Sequence, residues 1–353
     1  MDPAGGGAPP ESPTWAEDAI DRLVATLATT DTSASQRRLY RSMLQTVASL
    51  AGESAEVIDL KVADSALAEM AEAFRVFRPL RRERKVTIFG SARTQPAHPA
   101  YRCARDLAAS MADANWMVVT GAGDGIMAAG MEGAGRDKSI GVNIRLPFEQ
   151  SPNAFIAQDP KLVHMRYFFT RKLMLIKESD GYVVLPGGFG TLDEGYELLT
   201  LLQTGKAEPA PVVMLDIPGG DYWQAWEEFL RSHVEPRGLV SPEDRSLFLI
   251  TDDVAEATSE ILGFYRNYHS CRWVGDLLVM RLTMTPDKAE LAELNREFSD
   301  IVAGGSMRMS KPLPPERSDG DHLDHPRLVF RFDKTHYGRL RQLINTINRI
   351  TPP

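Results

Sequence analysis

Tyr182-Val183-Val184-Leu185 runs directly into Pro186-Gly187-Gly188-Phe189-Gly190-Thr191-Leu192-Asp193-Glu194. Apolar β-formers followed by a glycine-rich turn and then by helical spacing read as strand, tight turn and helix. Glycine lets a backbone approach an oxyanion closely. The unpaired N–H groups of a helix start point at that oxyanion, and the helix dipole adds roughly half a positive charge. Gly187, Gly188, Phe189, Gly190 and Thr191 therefore read as a phosphate seat. A purely structural reading competes with it: Thr191 as N-cap and Glu194 at the third helical position would form a capping box. Glycines at 187, 188 and 190 exceed what a cap requires.

Outward from this turn the same rhythm repeats. Short apolar runs at 86–91, 116–123, 139–146, 161–168, 211–216 and 247–251 alternate with amphipathic stretches. That is the mark of βαβ units, and it predicts a doubly wound, Rossmann-like parallel α/β sheet of about seven strands over residues 85–269. Before it, helical spacing at 15–29, 35–50 and 57–80 predicts an N-terminal helical cap over 14–84, behind a Gly/Pro-rich flexible leader at 1–13. After it, residues 270–353 read as a small α+β unit: a strand at 276–282, a helix at 287–302, a strand at 327–332 and a helix at 337–350. The polar, Pro-rich stretch 304–326 reads as a flexible linker inside that unit.

Two further strands end in small residues before a helix, Gly90-Ser91-Ala92-Arg93 and Thr120-Gly121-Ala122-Gly123-Asp124-Gly125. Ligands of open α/β sheets bind outside the carboxyl ends of the strands, so Gly90, Ser91, Gly121, Gly123 and Gly125 are expected to share one crevice with the 187–191 turn. The second segment lacks G-x-G-x-x-G spacing and has no acidic strand end some 20 residues on, which disfavours a dinucleotide and leaves room for one mononucleotide. Arg171 and Lys172 begin the helix before the glycine-rich turn. Two cations at a helix N-terminus oppose the dipole, and a bound anion would account for them; so would a solvated pair with its own acidic partners.

Composition narrows the function classes. The 353 residues carry 40 Lys plus Arg against 48 Asp plus Glu, a net charge of −8, so no global basic field draws the chain to nucleic acid or an anionic membrane. Two cysteines, Cys103 and Cys271, are too few for a disulfide framework. No apolar run approaches the ~18 residues of a membrane span, and a cytoplasmic protein is expected. The histidines show no ligand spacing. His322 and His325 fall in the expected linker, and neither metal nor cofactor is expected.

The chain from 85 to about 268 resembles the LONELY GUY-type proteins, the cytokinin-activating nucleoside 5′-monophosphate phosphoribohydrolases once labelled lysine decarboxylases. The resemblance rests on Arg171-Lys172 followed at the family's spacing by Pro186 to Glu194, the PGGxGTxxE signature. The flanking regions and the segment 141–150 resemble the longer bacterial members. The resemblance implies a hydrolase that cleaves the N-glycosidic bond of a purine nucleoside monophosphate, with a cytokinin nucleotide as one candidate substrate and free base and ribose 5-phosphate as products. It implies that Arg171 and Glu194 are catalytic, that Lys172, Gly187, Gly188, Phe189, Gly190, Thr191, Asp193 and Thr200 line the nucleotide site, and that Glu149 contacts substrate. It also implies a homodimer or higher homo-oligomer. The sequence departs from the short plant pattern at Asp193, which replaces the first glutamate of the usual pair, and at 121–125, where GAGDG replaces GGGxxG.

Two rival functions compete with this one. A pyridoxal-dependent decarboxylase would need a Schiff-base lysine with a partner for the ring nitrogen, and no such constellation is visible. A non-catalytic nucleotide-binding or carrier protein of the same fold would keep the glycines and could dispense with the Arg171/Glu194 pair, which is present here. In the hydrolase, an ionised Glu194 stabilises the oxocarbenium character of the ribose and orients water, while Arg171 contacts that carboxylate or the nucleotide and keeps the carboxylate charged.

Overall fold

The computed structural model describes residues 16–145 and 151–350. They divide into a first unit up to Ala68 and a second from Glu69 onward. In the first, α1 (Glu17–Leu27) and α2 (Ala34–Gly52) are joined by ion pairs from Arg41 to Glu17 at 2.6 Å and Asp21 at 3.0 Å. A capping box starts α2: Gln36 N–H donates to Ser33 Oγ at 3.2 Å and Ser33 N–H donates to Gln36 Oε1 at 2.8 Å. Helix α3 (Val57–Phe77) runs through the division between the units.

The second unit holds a seven-stranded parallel sheet of β1 (Lys85–Phe89), β2 (Met117–Thr120), β3 (Ser139–Ile144), β4 (Leu162–Met165), β5 (Gly181–Val184), β6 (Val212–Leu215) and β7 (Leu249–Thr251). Its crossover helices are α4 (Pro99–Asp113), α5 (Ile126–Lys138), α6 (Phe168–Lys177), α7 (Phe189–Gln203) and α8 (Tyr222–Phe229), and α9 (Val254–Gly263) follows the last strand. Consecutive strand residues feed opposite faces. Val118, Val183 and Val213 join one core, while Val119, Val184 and Met214 join the other, so both faces are covered, as a parallel sheet requires. The strand order is β4-β3-β2-β1-β5-β6-β7. The chain thus winds outward from β1 on one side, then returns beside it with β5 and winds outward on the other. The reversal between β1 and β5 is the switch point at which such sheets open a crevice.

A second, antiparallel sheet follows, ordered β10-β11-β9-β8, from β8 (Tyr268–Val274), β9 (Leu277–Leu282), β10 (Arg308–Ser310) and β11 (Arg327–Phe330). Helices α10 (Lys288–Glu297), α11 (Pro314–Asp319) and α12 (Tyr337–Ile347) accompany it, and Phe298, Leu328, Leu340 and Ile344 lie in its core. Strands β8 and β10 were not foreseen from sequence. The stretch 304–326, expected as a flexible linker, instead carries β10 and α11. Its Glu316 is fully buried, accepting from Arg281 Nη2 at 3.0 Å, Arg327 Nε at 3.4 Å and the Leu313 N–H at 3.1 Å. Burial alone would push the Glu316 carboxyl up, but the Leu313 N–H and the two guanidiniums outweigh it and hold the carboxyl below its ordinary range.

Candidate active site

The crevice at the switch point is a cleft of about 850 Å³ lined by the carboxyl ends of β1, β2 and β3 and the start of α7. Of the residues expected from sequence, Gly90, Ser91, Gly121, Gly123, Arg171, Gly188, Phe189, Gly190, Thr191, Asp193 and Glu194 line it. Gly187, Gly125, Lys172 and Thr200 do not, and Glu149 lies outside the described residues.

The glycines divide by what demands them. Gly125 has φ +62°, and a Cβ there would stand 2.3 Å from the Ser91 carbonyl oxygen, so it serves the packing of α5 on the β1 turn. A Cβ on Gly187 would meet Thr191 Oγ1 at 2.2 Å, again a packing demand. Gly188 and Gly190 are different: no atom lies within 4 Å of where their Cβ would be, and neither has positive φ. Nothing in the protein requires glycine at these two positions. They leave the backbone bare toward the cleft, beside the first-turn N–H groups of α7, which lack intrahelical acceptors.

The capping-box reading does not survive the helix boundary. Helix α7 begins at Phe189 with Gly188 as N-cap and no side-chain cap bond, so Thr191 is already helical and Glu194 lies beyond the first turn. Glu194 is 7% exposed, and its Oε2 has no hydrogen-bond partner. Burial pushes its pKa up to about 7, against the pull of Arg171 and Lys172. This corrects the expectation that Arg171 keeps the carboxylate ionised: desolvation outweighs the two cations.

Arg171, from the first turn of α6, reaches under the strand ends. Its Nε donates to the Val142 carbonyl of β3 at 3.0 Å, and a Cβ on Gly121 would stand 1.9 Å from its Nη2, so Gly121 is the gap the guanidinium occupies. Burial lowers its pKa and Glu194 raises it, yet the two make no direct ion pair. The guanidinium is fixed by backbone, and its charge faces the cleft across from the carboxyl.

Lys172 is explained by protein, not by a ligand. Its Nζ pairs with Asp193 Oδ2 at 2.7 Å and Glu197 Oε2 at 2.8 Å, clamping α6 to α7. Burial lowers its pKa, and the hydrogen bonds to these carboxylates more than compensate. Thr200 is exposed and donates to the Tyr196 carbonyl at 2.7 Å within α7, away from the cleft. Sequence reasoning passed over Asn143, Asp124 and Arg93, which also line the cleft; each belongs to a strand-end segment already singled out by its glycines or by the run 141–150. Phe168 lines the cleft, whereas its neighbour Phe169 stacks on Tyr167.

A Rossmann-like parallel sheet with a glycine-lined cleft at its switch point defines the class of fold. Residues 122–261 match the family model described as "Possible lysine decarboxylase". A probable cytokinin riboside 5′-monophosphate phosphoribohydrolase of Oryza sativa subsp. japonica is 33% identical over 28% of this chain and 44% of its own length. A cytokinin riboside 5′-monophosphate phosphoribohydrolase of Arabidopsis thaliana is 33% identical over 26% of this chain and 41% of its own length. The chain therefore spans less than half the length of these relatives. Among solved structures, a molybdenum cofactor binding protein from Rippkaea orientalis aligns over 51% of this chain and 96% of its own at 19% identity and a TM-score of 0.36. No helix among the described residues is long and apolar enough to cross a membrane.

Proposed function

We propose that this protein hydrolyses the N-glycosidic bond of a purine nucleoside 5′-monophosphate, releasing the base and ribose 5-phosphate. The observation that carries the reading is Glu194: a buried carboxyl with an unpartnered oxygen, held near neutrality, on the wall of the cleft that α7's free N–H groups also face. A group with a pKa near the working pH is suited to general acid–base work. Ionised, Glu194 stabilises positive charge developing on the ribose and orients the attacking water; the proton it takes from that water passes to the departing base or to solvent. Arg171 holds the ligand's anionic or hydroxyl groups from a backbone-fixed position. The bare turn at 188–190 seats the phosphate, whose binding energy positions the sugar. Phe168, 52% exposed, and Phe189, 94% exposed, offer aromatic faces at the cleft for a base or for a second copy of the chain, consistent with a homodimer.

The test is product analysis with AMP and adenosine. AMP is expected to yield adenine and ribose 5-phosphate, and adenosine to be a far poorer substrate because it cannot use the phosphate seat. Equal turnover of the two would remove the seat from the mechanism. Binding of AMP without any base release would leave a carrier.

A further inference from the structure

Sequence spacing gave no metal site, but the fold brings His269, at the start of β8, against His322 and His325 of the loop before β11. Ligand-capable nitrogens of the three rings all lie within 4.8 Å of one another. Ring centroids of His269 stand 4.6 Å from His322 and 4.2 Å from His325. The loop is held in place from below. Arg327, fully buried, donates to the carbonyls of Asp321 at 3.1 Å, His322 at 2.7 Å and Leu323 at 3.3 Å, and also to that of His325. His322 itself is held at φ +51°, a left-handed conformation uncommon outside glycine. A hydrophilic surface loop needs no such fastening.

The ring orientations are also set. His325 Nδ1 lies 3.0 Å from the Leu282 carbonyl oxygen, which can only accept, so Nδ1 carries the proton and Nε2 keeps its lone pair. His269 Nδ1 lies 2.9 Å from Ser270 Oγ, which admits the same tautomer. This outer contact, a ring N–H on a carbonyl or hydroxyl, is what orients metal-ligating histidines. The nearby cations are already matched: Arg281 pairs with Glu316 and Asp321, and Arg84 with Asp180 at 2.6 Å. Asp321 Oδ1 stands 3.8 Å from His322 Nε2 and adds negative charge beside the rings.

We propose that His269, His322 and His325 form a three-imidazole site for a divalent transition ion, zinc in the first instance. Donor nitrogens around a tetrahedral zinc stand roughly 3.3 Å apart, so the rings must close inward, which the exposed His322 side chain can do by rotating. Three protein ligands leave one position open. His269 and His322 also line a separate cleft of about 980 Å³, so the open position faces a space large enough for water or an exogenous ligand.

The experiment titrates tag-free full-length protein with zinc chloride by calorimetry in a buffer that does not chelate, alongside magnesium chloride. Zinc is expected to bind with a stoichiometry of about one per chain and raise the melting temperature, with no response to magnesium, a cation that prefers oxygen donors. His269→Ala and His325→Ala should each weaken zinc by at least 10-fold, and His233→Ala, remote and exposed, should not. Should either buried-side variant fail to fold, His322→Ala, at an exposed position, carries the same expectation. Substituted cobalt(II) should give the intense visible bands of a four-coordinate ion. No zinc uptake, uptake unchanged in these variants, or only the pale spectrum of six-coordinate cobalt would overturn the site.

Discussion

Glu194 and Glu316 are both withdrawn from water, at 7% and 0% exposure, and there the likeness ends. Glu316 is encircled by Arg281, Arg327 and the Leu313 N–H and sits below the usual carboxylate range. Glu194 has one oxygen with no partner, a cation nearby that does not touch it, and a pKa of about 7. Evolution can bury a carboxylate to fasten a structure, and then it satisfies every lone pair. Leaving a lone pair bare costs stability and needs another reason, and a cleft wall supplies one.

The contrast breaks most visibly at Glu316. Glu316→Ala strips two buried guanidiniums of their shared partner and should cost about 3–5 kcal/mol in urea unfolding, the usual toll of halving a buried ion pair. AMP binding by the folded fraction should persist. A loss below about 1 kcal/mol would mean the clasp is ornamental.

Glu194→Gln should leave AMP affinity nearly intact while turnover falls at least 10²-fold, roughly 2.7 kcal/mol of barrier. Near-normal turnover would end the catalytic assignment.

The same substitution sharpens the comparison through pH. The folded-state pKa of Glu194, about 7, lies above the ordinary 4.5, so the native state binds the extra proton between those values and stability falls as pH rises through that window. At 1.36 kcal/mol per unit, wild type should lose roughly 2 kcal/mol between pH 5 and pH 7 that Glu194→Gln does not lose. Parallel unfolding curves for the two proteins at both pH values would contradict the raised pKa. For Glu316 the sign is opposite: its stabilising contribution is present above the ordinary carboxylate pKa and fades as pH falls through the lower, folded value.

Smallest of the set is Lys172→Ala. It removes a partly exposed clamp between α6 and α7, worth about 1 kcal/mol or less, and should not change AMP affinity. A large affinity loss would return Lys172 to the phosphate.

Much of the parallel sheet was legible because its strands are short, β-branched and buried on both faces, as in Val118-Val119 and Val183-Val184, and because Gly187, Gly188 and Gly190 announce the turn. The antiparallel sheet was half legible. Strand β8, Tyr-His-Ser-Cys-Arg-Trp-Val, has no clean alternation, and β10 is three residues within polar sequence. What composition could not show is pairing at a distance. The stretch 304–326 looked like a linker because its charges count as solvated until Arg281 and Arg327 are placed around Glu316. Lys172 could be assigned to an anion or to acidic partners until α7 presented Asp193 and Glu197. The capping-box reading would have started α7 after Thr191, because Thr191 is a better cap by composition than Gly188, yet the helix begins at Phe189 with Gly188 as its N-cap.

The reversal of winding between β1 and β5 has a mechanical consequence. The strand ends β1, β2 and β3 belong to one half of the sheet and the α7 turn to the other, so a molecule in the cleft is gripped by both sides of the seam. Such an occupant would act as a rivet: by holding both halves at once it would favour the closed seam over its local opening.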